Sequence, residues 1–410
     1  MKLLKVDTIE EAKHKMDIHF QDFFLETEKI PLCNAVGRIL AEDIDSPIDL
    51  PEFDRATVDG YALLSKDTFG AGESLPVFLD VIGKVDIGKD TALQVHSGKA
   101  AYVPTGGMIP KGADGMAMIE HVEHLDEYTI AVYDSVAPGD GIIRTGDDVK
   151  KGERILSKGK KLRPQDIGFL AAVGIPEVNV FRKPKVGILS TGDELVCPGE
   201  KVEFGQIRDI NTYTLSAMVK EAGGTVCHRA IVEDDFQKLR EAVQHAAKES
   251  DLILISGGSS AGMKDMTAQV IDSLGEPGVF VHGLAIKPGK PTIIGKAAGI
   301  PIFGLPGHPI SAMMIFKVIV EYLLDKGFFR NNREEISIQA ICDANIHASP
   351  GKETYQMVTL EKNNEQQYIA RPIHGKSGAI SLWIKAQGYI RIGQNQEGIQ
   401  KGEKVEVVLL

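Results

Sequence analysis

The spacing of apolar and polar positions falls into four textures along the chain. Charged and apolar residues alternate with helical spacing from Thr8 past Phe24, and NAVGRILAEDI resumes it, so residues 1 to about 45 read as helical. Thr8 followed three positions later by Glu11 has the pattern of a capping box opening the first helix. From about 46 to 144 the runs are short (LPVFLDVIG, GMAMIEHVEHL, YTIAVY) and punctuated by Gly, Pro and Asp, which predicts a small β domain. Helical spacing returns in KKLRPQDIGFLAAVGI with Pro164 in the first turn, so residues 145–179 are expected to join 1–45 as one discontinuous, mainly helical domain. Between 180 and 326, apolar runs (KVGILS, TVCHRAIV, DLILIS) alternate with amphipathic helical stretches, the signature of a parallel sheet covered on both faces. Residues 327–410 return to strand-like pieces and predict a C-terminal β-barrel-like domain. The expected fold class is multidomain α/β plus β, with a three-layer α/β domain.

Composition narrows the function. Lys+Arg 46 against Asp+Glu 57 gives a net charge of −11, which argues against a broad grip on nucleic acid or anionic membrane; an anionic ligand must be held locally. No apolar run is long enough to span a bilayer, since ISAMMIFKVIVEYLL is interrupted by Lys317 and Glu321, and a cytoplasmic protein is expected. Cys33, Cys197, Cys227 and Cys342 are widely spaced with no C-x-x-C pair, and read as buried free thiols. The 43 glycines matter more for where they fall than for their number.

In an open α/β sheet, ligands bind beyond the carboxyl ends of the strands. After KVGILS come Ser190-Thr191-Gly192-Asp193-Glu194, and after DLILIS come Ser256-Gly257-Gly258-Ser259-Ser260-Ala261-Gly262, leading to Asp265. The second loop offers free amides and hydroxyls ahead of a helix, either a tight turn or an oxyanion cradle. Lys287 and Lys290 are set close together by the stiff turn IKPGKP, either as solvated lysines or as an anion clamp. GLPGHP places Pro306, Gly307 and His308 at another strand end, with His308 either a ligand contact or a helix-start residue. Asp234 or Asp235 suits a helix N-cap, and Asp147 with Asp148 suits a turn. Glu194 and Asp265 face the same predicted crevice, and carboxylates beside an oxyanion site imply a hard cation such as Mg2+. The His121 to His124 string is set aside as structural, because on a strand its histidines face opposite ways.

These motifs, in this order, resemble the MoeA family of molybdopterin molybdenumtransferases, related to the E domains of animal gephyrin and plant Cnx1. LPEFDRATVDGYAL is similar to the family's LP-x-FD-x-S-x-MDGYA, and VPTGGMIPKGAD to PTG-x-x-P-x-GAD. RTGDDV, ILSTGDELV, ISGGSSAGMKD, IKPGKP and GLPGHPISA likewise match family motifs, so the resemblance covers nearly the whole chain. It departs at Ser259, usually apolar, at Met263, commonly Glu, and at His308, commonly Asn; Gly375-Lys376-Ser377-Gly378 is a loose match to a C-terminal GS-G-x-x-S pattern.

The resemblance implies a homodimer of four-domain subunits whose α/β domain is similar to the MoaB/MogA adenylyltransferases. It implies insertion of molybdate into adenylylated molybdopterin with Mg2+-dependent release of AMP, giving molybdenum cofactor, and a MogA/MoaB-type adenylyltransferase as a partner. On that reading Asp59, Glu194, Asp234, Asp265, Lys287 and Lys290 are catalytic, and Glu194, Asp234, Asp265 and Asp148 are candidate metal ligands. Thr105, Ser190, Thr191, Gly192, Ser256, Gly257, Gly258, Ser259, Ser260, Gly262, Pro306, Gly307, His308, Arg371 and Ser381 would contact the substrate. Asp59 and Thr105 would be supplied across the dimer. A tungsten-inserting paralogue, a CinA-like nucleotide pyrophosphatase and a gephyrin-like scaffold are the competing readings.

Overall fold

The structure, a computed structural model, describes residues 6–257, 261–329 and 335–410, with the side chains of 261–265 outside the description. The chain divides into two compact units, one of Lys29–Val36 and Glu42–Val178, the other of Met1–Glu28, Gly37–Ala41 and Asn179–Leu410.

In the first of these units a six-stranded sheet runs in the order Gly115–Met118, Gly60–Leu63, Lys99–Val103, Val77–Lys84, Thr129–Val132, Val122–His124. The pair Val77–Lys84 and Lys99–Val103 is parallel and its neighbours are antiparallel. Tyr61, Leu63, Leu79, Ile130 and Val132 bury one face. Gly60 tolerates no side chain, because a Cβ there would sit 1.9 Å from the Ala117 carbonyl oxygen; the glycine of DGYA lets two strands close. His121 pairs with Asp134 and the His124 ring nitrogen meets the Tyr61 hydroxyl at 2.8 Å. The helix Pro164–Ala172 starts with Pro at its first turn, and the Asp166 carboxylate accepts from the Arg163 amide at 2.9 Å and from Lys160 at 2.7 Å.

Two expectations for the N-terminal segment need correcting. The helix Ile9–His19 forms as predicted, with Thr8 and Glu11 in a reciprocal capping box, but NAVGRILAEDI does not resume it. Leu32–Asn34 is a 3-10 turn and Ile44–Asp45 a short strand, because Pro31 ends the extended segment and Gly37 adopts φ +77°, outside helical space. The cysteines are not uniformly buried either: Cys342 is, Cys227 is partly covered, and Cys33 and Cys197 are exposed in a turn and a loop that no core needs to cover.

The α/β part of the other unit comprises β1 (Lys185–Thr191), α1 (Asn211–Glu221), β2 (Thr225–Val232), α2 (Phe236–Ala247), β3 (Leu252–Gly257), α3 (Ala261–Asp272), β4 (Gly278–His282), β5 (Ile293–Ala297), β6 (Ile300–Leu305) and α4 (Pro309–Ile315). The sheet order is β2-β1-β3-β6-β5-β4; the first four strands are parallel, and β5 runs antiparallel to both of its neighbours, β6 and β4. Alternation within strands feeds two cores. Val186, Ile188, Leu252, Leu254 and Phe303 pack with Leu215 and Val219 of α1 and Met314 of α4, while Leu189, Ile253, Ile255 and Ile302 pack with Leu239 and Val243 of α2 and Ile271 of α3. The three layers follow from that alternation. Because β2 and β3 flank β1 on opposite sides, the connections leave in opposite directions at the ends of β1 and β3, which opens a crevice there. The Ile9–His19 helix buries Ile9, Ala12 and Met16 in the α1 and α4 core.

At the C-terminus, Glu353–Lys362 pairs with both Tyr368–Pro372 and Gly388–Ile392, and Ser337–Cys342 and Lys404–Leu409 complete the ring. The sheet therefore closes on itself as a barrel filled by Val358, Ala370, Ile390 and Val407. Among the described residues no helix is long and apolar enough to cross a membrane.

Candidate functional site

The ends of β1 and β3 touch. Gly257 is at φ +157°, and a Cβ on it would lie 2.0 Å from the Thr191 hydroxyl and 2.4 Å from the Thr191 carbonyl oxygen, so glycine is what allows the approach. Around this junction lies a cavity of about 620 Å³, lined by Ser190, Thr191, Glu194, Asp209, Asn211, Ser256, Gly257, Gly307, His308 and Gly378 together with the loop before α1. Its floor is a set of buried polar groups. Ser190 Oγ meets Thr212 Oγ1 at 2.8 Å and donates to Asp209 at 3.2 Å; Asp209 also accepts from the Thr212 amide at 3.1 Å. Asn211 Nδ2 donates to Ser256 Oγ at 2.7 Å and to the Gly307 carbonyl at 2.8 Å, tying the ends of β3 and β6 to the start of α1.

Glu194 lines this cavity, and Asp193 and Asp234 crowd around it. The Asp234 amide donates to Asp193 at 3.0 Å, and the Asp234 carboxyl is pushed above the ordinary carboxylate range, first by partial burial and then by the charges of Asp193 and Glu194. Glu194 folds back over Gly192, where a Cβ would lie 2.6 Å from its Oε2. The neighbouring Asp235 is the N-cap of α2, accepting from the Lys238 amide at 2.8 Å, so the two aspartates divide the roles that sequence left open. No group of three His, Cys, Asp or Glu close enough to hold a metal occurs among the described residues. Gly258, Ser259 and Ser260 lie outside the described residues; Gly262 and Asp265 fall on α3, in its first turns, where side chains are not described.

Lys287 and Lys290 line a different cavity, of about 470 Å³, with Ser311, His347, Lys352, Thr354, Gly375 and Ser377. Their turn is held by Thr292, whose hydroxyl donates to Gly289 O at 2.7 Å, and by the Leu284 amide donating to Lys290 O at 2.9 Å. Gly289, at φ +117°, packs under Ile315, where a Cβ would meet Cδ1 at 2.5 Å. Among the described residues the exposed side chains of Lys287 and Lys290 form no ion pair, and Lys352, from the turn before the long barrel strand, joins them. The two cavities share a wall: His308 Nδ1 meets Ser377 Oγ at 2.9 Å and the Ile310 amide donates to Ser377 O at 3.2 Å, with His308 and Gly378 on one side and Ser377 on the other.

Other expected residues stand apart. Pro306 is buried behind Gly307. Arg371 is committed to Asp343 at 3.0 Å and Glu361 at 3.4 Å and lines neither cavity, nor does Ser381 at the start of a short helix. In the other compact unit, Asp59 accepts from the Thr105 amide and hydroxyl at 2.7 and 3.1 Å, so DGYA and PTG are joined by one carboxylate. Asp148 is exposed there, and Asp147 accepts from the Arg144 amide at 2.7 Å as a turn residue. Sequence reasoning missed Asn211, Asp209, Lys352 and Ser377; the loose GKSG match was the only signal for the last.

Comparison with known proteins gives three family matches in chain order. Residues 7–174 match the "MoeA N-terminal region (domain I and II)", residues 187–326 the "Probable molybdopterin binding domain", and residues 339–410 the "MoeA C-terminal region (domain IV)". The chain is 34% identical over 403 residues to the molybdopterin molybdenumtransferase of Haemophilus influenzae, covering 98% of each, and 30% identical over 406 residues to that of Bacillus subtilis, covering 98% of this chain and 94% of the relative. A crystal structure of the molybdopterin biosynthesis MoeA protein from Pyrococcus horikosii superposes with a TM-score of 0.83 at 40% identity, covering 99% of both chains.

Proposed function

Since the chain belongs to the MoeA family, enzymes of molybdenum cofactor biosynthesis, we propose that it inserts molybdate into adenylylated molybdopterin with Mg2+-dependent cleavage of the phosphoanhydride and release of AMP. The observation that carries this reading is the pair of adjoining cavities divided by His308 and Ser377, one polar and set at a strand switch point, the other lined by three lysines that have no carboxylate partner among the described residues. A two-part substrate bearing two linked phosphates, together with a small tetrahedral oxyanion, matches that division. Lys287, Lys290 and Lys352 concentrate positive charge locally on an acidic chain, and each presents ammonium donors to an oxyanion.

The crowded carboxylates fit a hard cation: partial burial, and then the charges of Asp193 and Glu194, raise the proton affinity of Asp234, and oxygen donors of this kind suit Mg2+. Glu194 and Asp234, with Asp265 from α3, would hold it, and it would neutralise charge on the substrate phosphates. We assign Asp59 and Thr105 to the same reaction, supplied by the second subunit of a homodimer, and a MogA/MoaB-type adenylyltransferase as the source of the adenylylated substrate. The proposed domain division is 1–45 with 145–179, 46–144, 180–326 and 327–410.

The test is direct. Purified protein is incubated with adenylylated molybdopterin, Mg2+ and molybdate, and AMP is quantified. Release that requires both Mg2+ and molybdate is expected; release from free ATP or ADP-ribose instead would transfer the chain to the nucleotide pyrophosphatase reading. Asp265→Ala should abolish release while leaving the circular dichroism spectrum unchanged, and undiminished turnover would remove Asp265 from the mechanism.

A further inference from the structure

Two buried side-chain atoms in the described residues lack a hydrogen-bond partner, Thr191 Oγ1 and Asn211 Oδ1, and both residues line the strand-end cavity. Buried polar groups are ordinarily paired, so two orphans in one cavity floor point to a group that arrives from outside. The orientation of the Asn211 amide is set by its neighbours. Its other terminal atom lies 2.8 Å from the Gly307 carbonyl oxygen, which can only accept, so that atom is the nitrogen and the oxygen faces the other way. The second nitrogen hydrogen is taken by Ser256 Oγ at 2.7 Å. Both donors are thus consumed by protein and the acceptor is left over. Rotating the amide to satisfy the oxygen would set two oxygens against each other at Gly307.

We propose that Asn211 is a specificity-determining residue of this cavity, whose fixed Oδ1 reads an N–H or O–H donor of the bound substrate, with the Thr191 hydroxyl as a second contact. The inference rests on adenylylated molybdopterin being the substrate. Both halves of that molecule carry donors, the amine and hydroxyls of the nucleoside and the ring N–H groups of the pterin. A bare oxyanion carries none when fully ionised, so Asn211 Oδ1 repels molybdate from this cavity and leaves it to the lysines. This division explains why an acceptor-rich floor and a lysine cluster occupy separate cavities.

The experiment measures binding of AMP and of free molybdopterin, separately, to wild type and to Asn211→Ala, with thermal unfolding as a control on the fold. The expected result is a loss of about tenfold for one of the two ligands and little change for the other, because one hydrogen bond to one half of the substrate disappears; the ligand affected identifies the half that Asn211 reads. Equal losses on both ligands would mean that Asn211 only braces Ser256 and Gly307, and no loss on either would mean that Oδ1 meets nothing; both results overturn the proposal. Asn211→Ser, whose shorter side chain places no amide oxygen at the Oδ1 position, is the second variant and should show the same one-sided loss. If wild type binds neither adenylylated molybdopterin nor AMP, the substrate assignment itself fails; if it binds them and the variants bind identically, only the role of Asn211 fails.

Discussion

Replacing Thr191 with valine separates ligand recognition from folding. Thr191 is 2% exposed and its Oγ1 has no partner among the described residues. An unsatisfied buried hydroxyl carries a penalty of about 1–3 kcal/mol, and valine removes it while keeping the branched shape. The exchange has an opposing term. The site is tight, since a Cβ on Gly257 would stand 2.0 Å from Thr191 Oγ1, so the bulkier methyl strains the junction of β1 and β3 by roughly 1 kcal/mol. The net expectation is a free protein about 1 kcal/mol more stable, read as a rise in Tm of about 2–4 °C for an α/β domain of this size. The same variant loses a ligand contact, so KM for adenylylated molybdopterin should rise about fivefold to tenfold. Differential scanning calorimetry of the ligand-free protein and steady-state AMP release are the two assays. A fall in Tm of several degrees would refute the reasoning, because it would show that the hydroxyl has a protein partner in the free state.

The rim carboxylates make a pH prediction. The Asp234 carboxyl lies above its ordinary 3.8 in the folded chain, so it favours folding when protonated and opposes it once ionised; this stability is present below the ordinary value and lost as pH rises through the folded value. Asp234→Asn should therefore raise Tm at pH 7, the gain should vanish under acid, and Mg2+ should raise the Tm of wild type more than that of the variant. Combined Lys287→Ala and Lys290→Ala should cut kcat/KM for molybdate by at least about a hundredfold with little change in Tm, since both side chains are exposed and have no ion-pair partner among the described residues; AMP release assayed over a molybdate series checks it. Gly60→Ala should destabilise the six-stranded sheet by about 3 kcal/mol or more, as a Cβ 1.9 Å from a backbone oxygen cannot be relieved by a rotamer change; the Tm of a fragment is unnecessary, because limited proteolysis of the whole chain reports the loosening.

Much of the architecture was legible because period and burial agree. The runs KVGILS and DLILIS are apolar throughout, and each strand feeds cores on both faces, which is what a doubly covered strand requires. The capping box at Thr8 and the Pro164 helix start were equally readable, since both depend on residues three apart. NAVGRILAEDI misled because helical spacing alone does not make a helix: Pro31 and Gly37 set the backbone, Ile39 and Ala41 are buried by neighbours distant in sequence, and Val36 stays exposed. Cys33 and Cys197 misled for a related reason, as their exposure depends on which loops happen to need cover.

The site was legible one motif at a time but not as an arrangement. STGDEL and the Gly257 loop meet because β1 and β3 are neighbours in the sheet, the chain having crossed over β1 on its way from β2 to β3, whereas KPGKP could be assigned to the same crevice only if its turn faced the strand ends. It faces the barrel instead, where Lys352 and Ser377 arrive from more than sixty positions along the chain. The separation has a physical sense that spacing could not reveal. An acceptor-rich floor made by Asp209, Asn211 Oδ1 and the rim carboxylates repels a multiply charged oxyanion, and three lysines beside it would be neutralised by those carboxylates if they shared one pocket. On the proposed reading, dividing the charges between two cavities would keep the lysines free for anions and the carboxylates free for a cation, and one substrate would span both across the His308 and Ser377 wall. A histidine in that wall, in place of the asparagine common in the family, contributes a ring that reaches Ser377 Oγ at 2.9 Å, so His308→Asn, with a shorter side chain, should disturb the wall. The expected signature is a kcat lowered more than KM, because both halves of the substrate would still bind while their relative placement loosens; a change in KM alone would contradict this account of the wall.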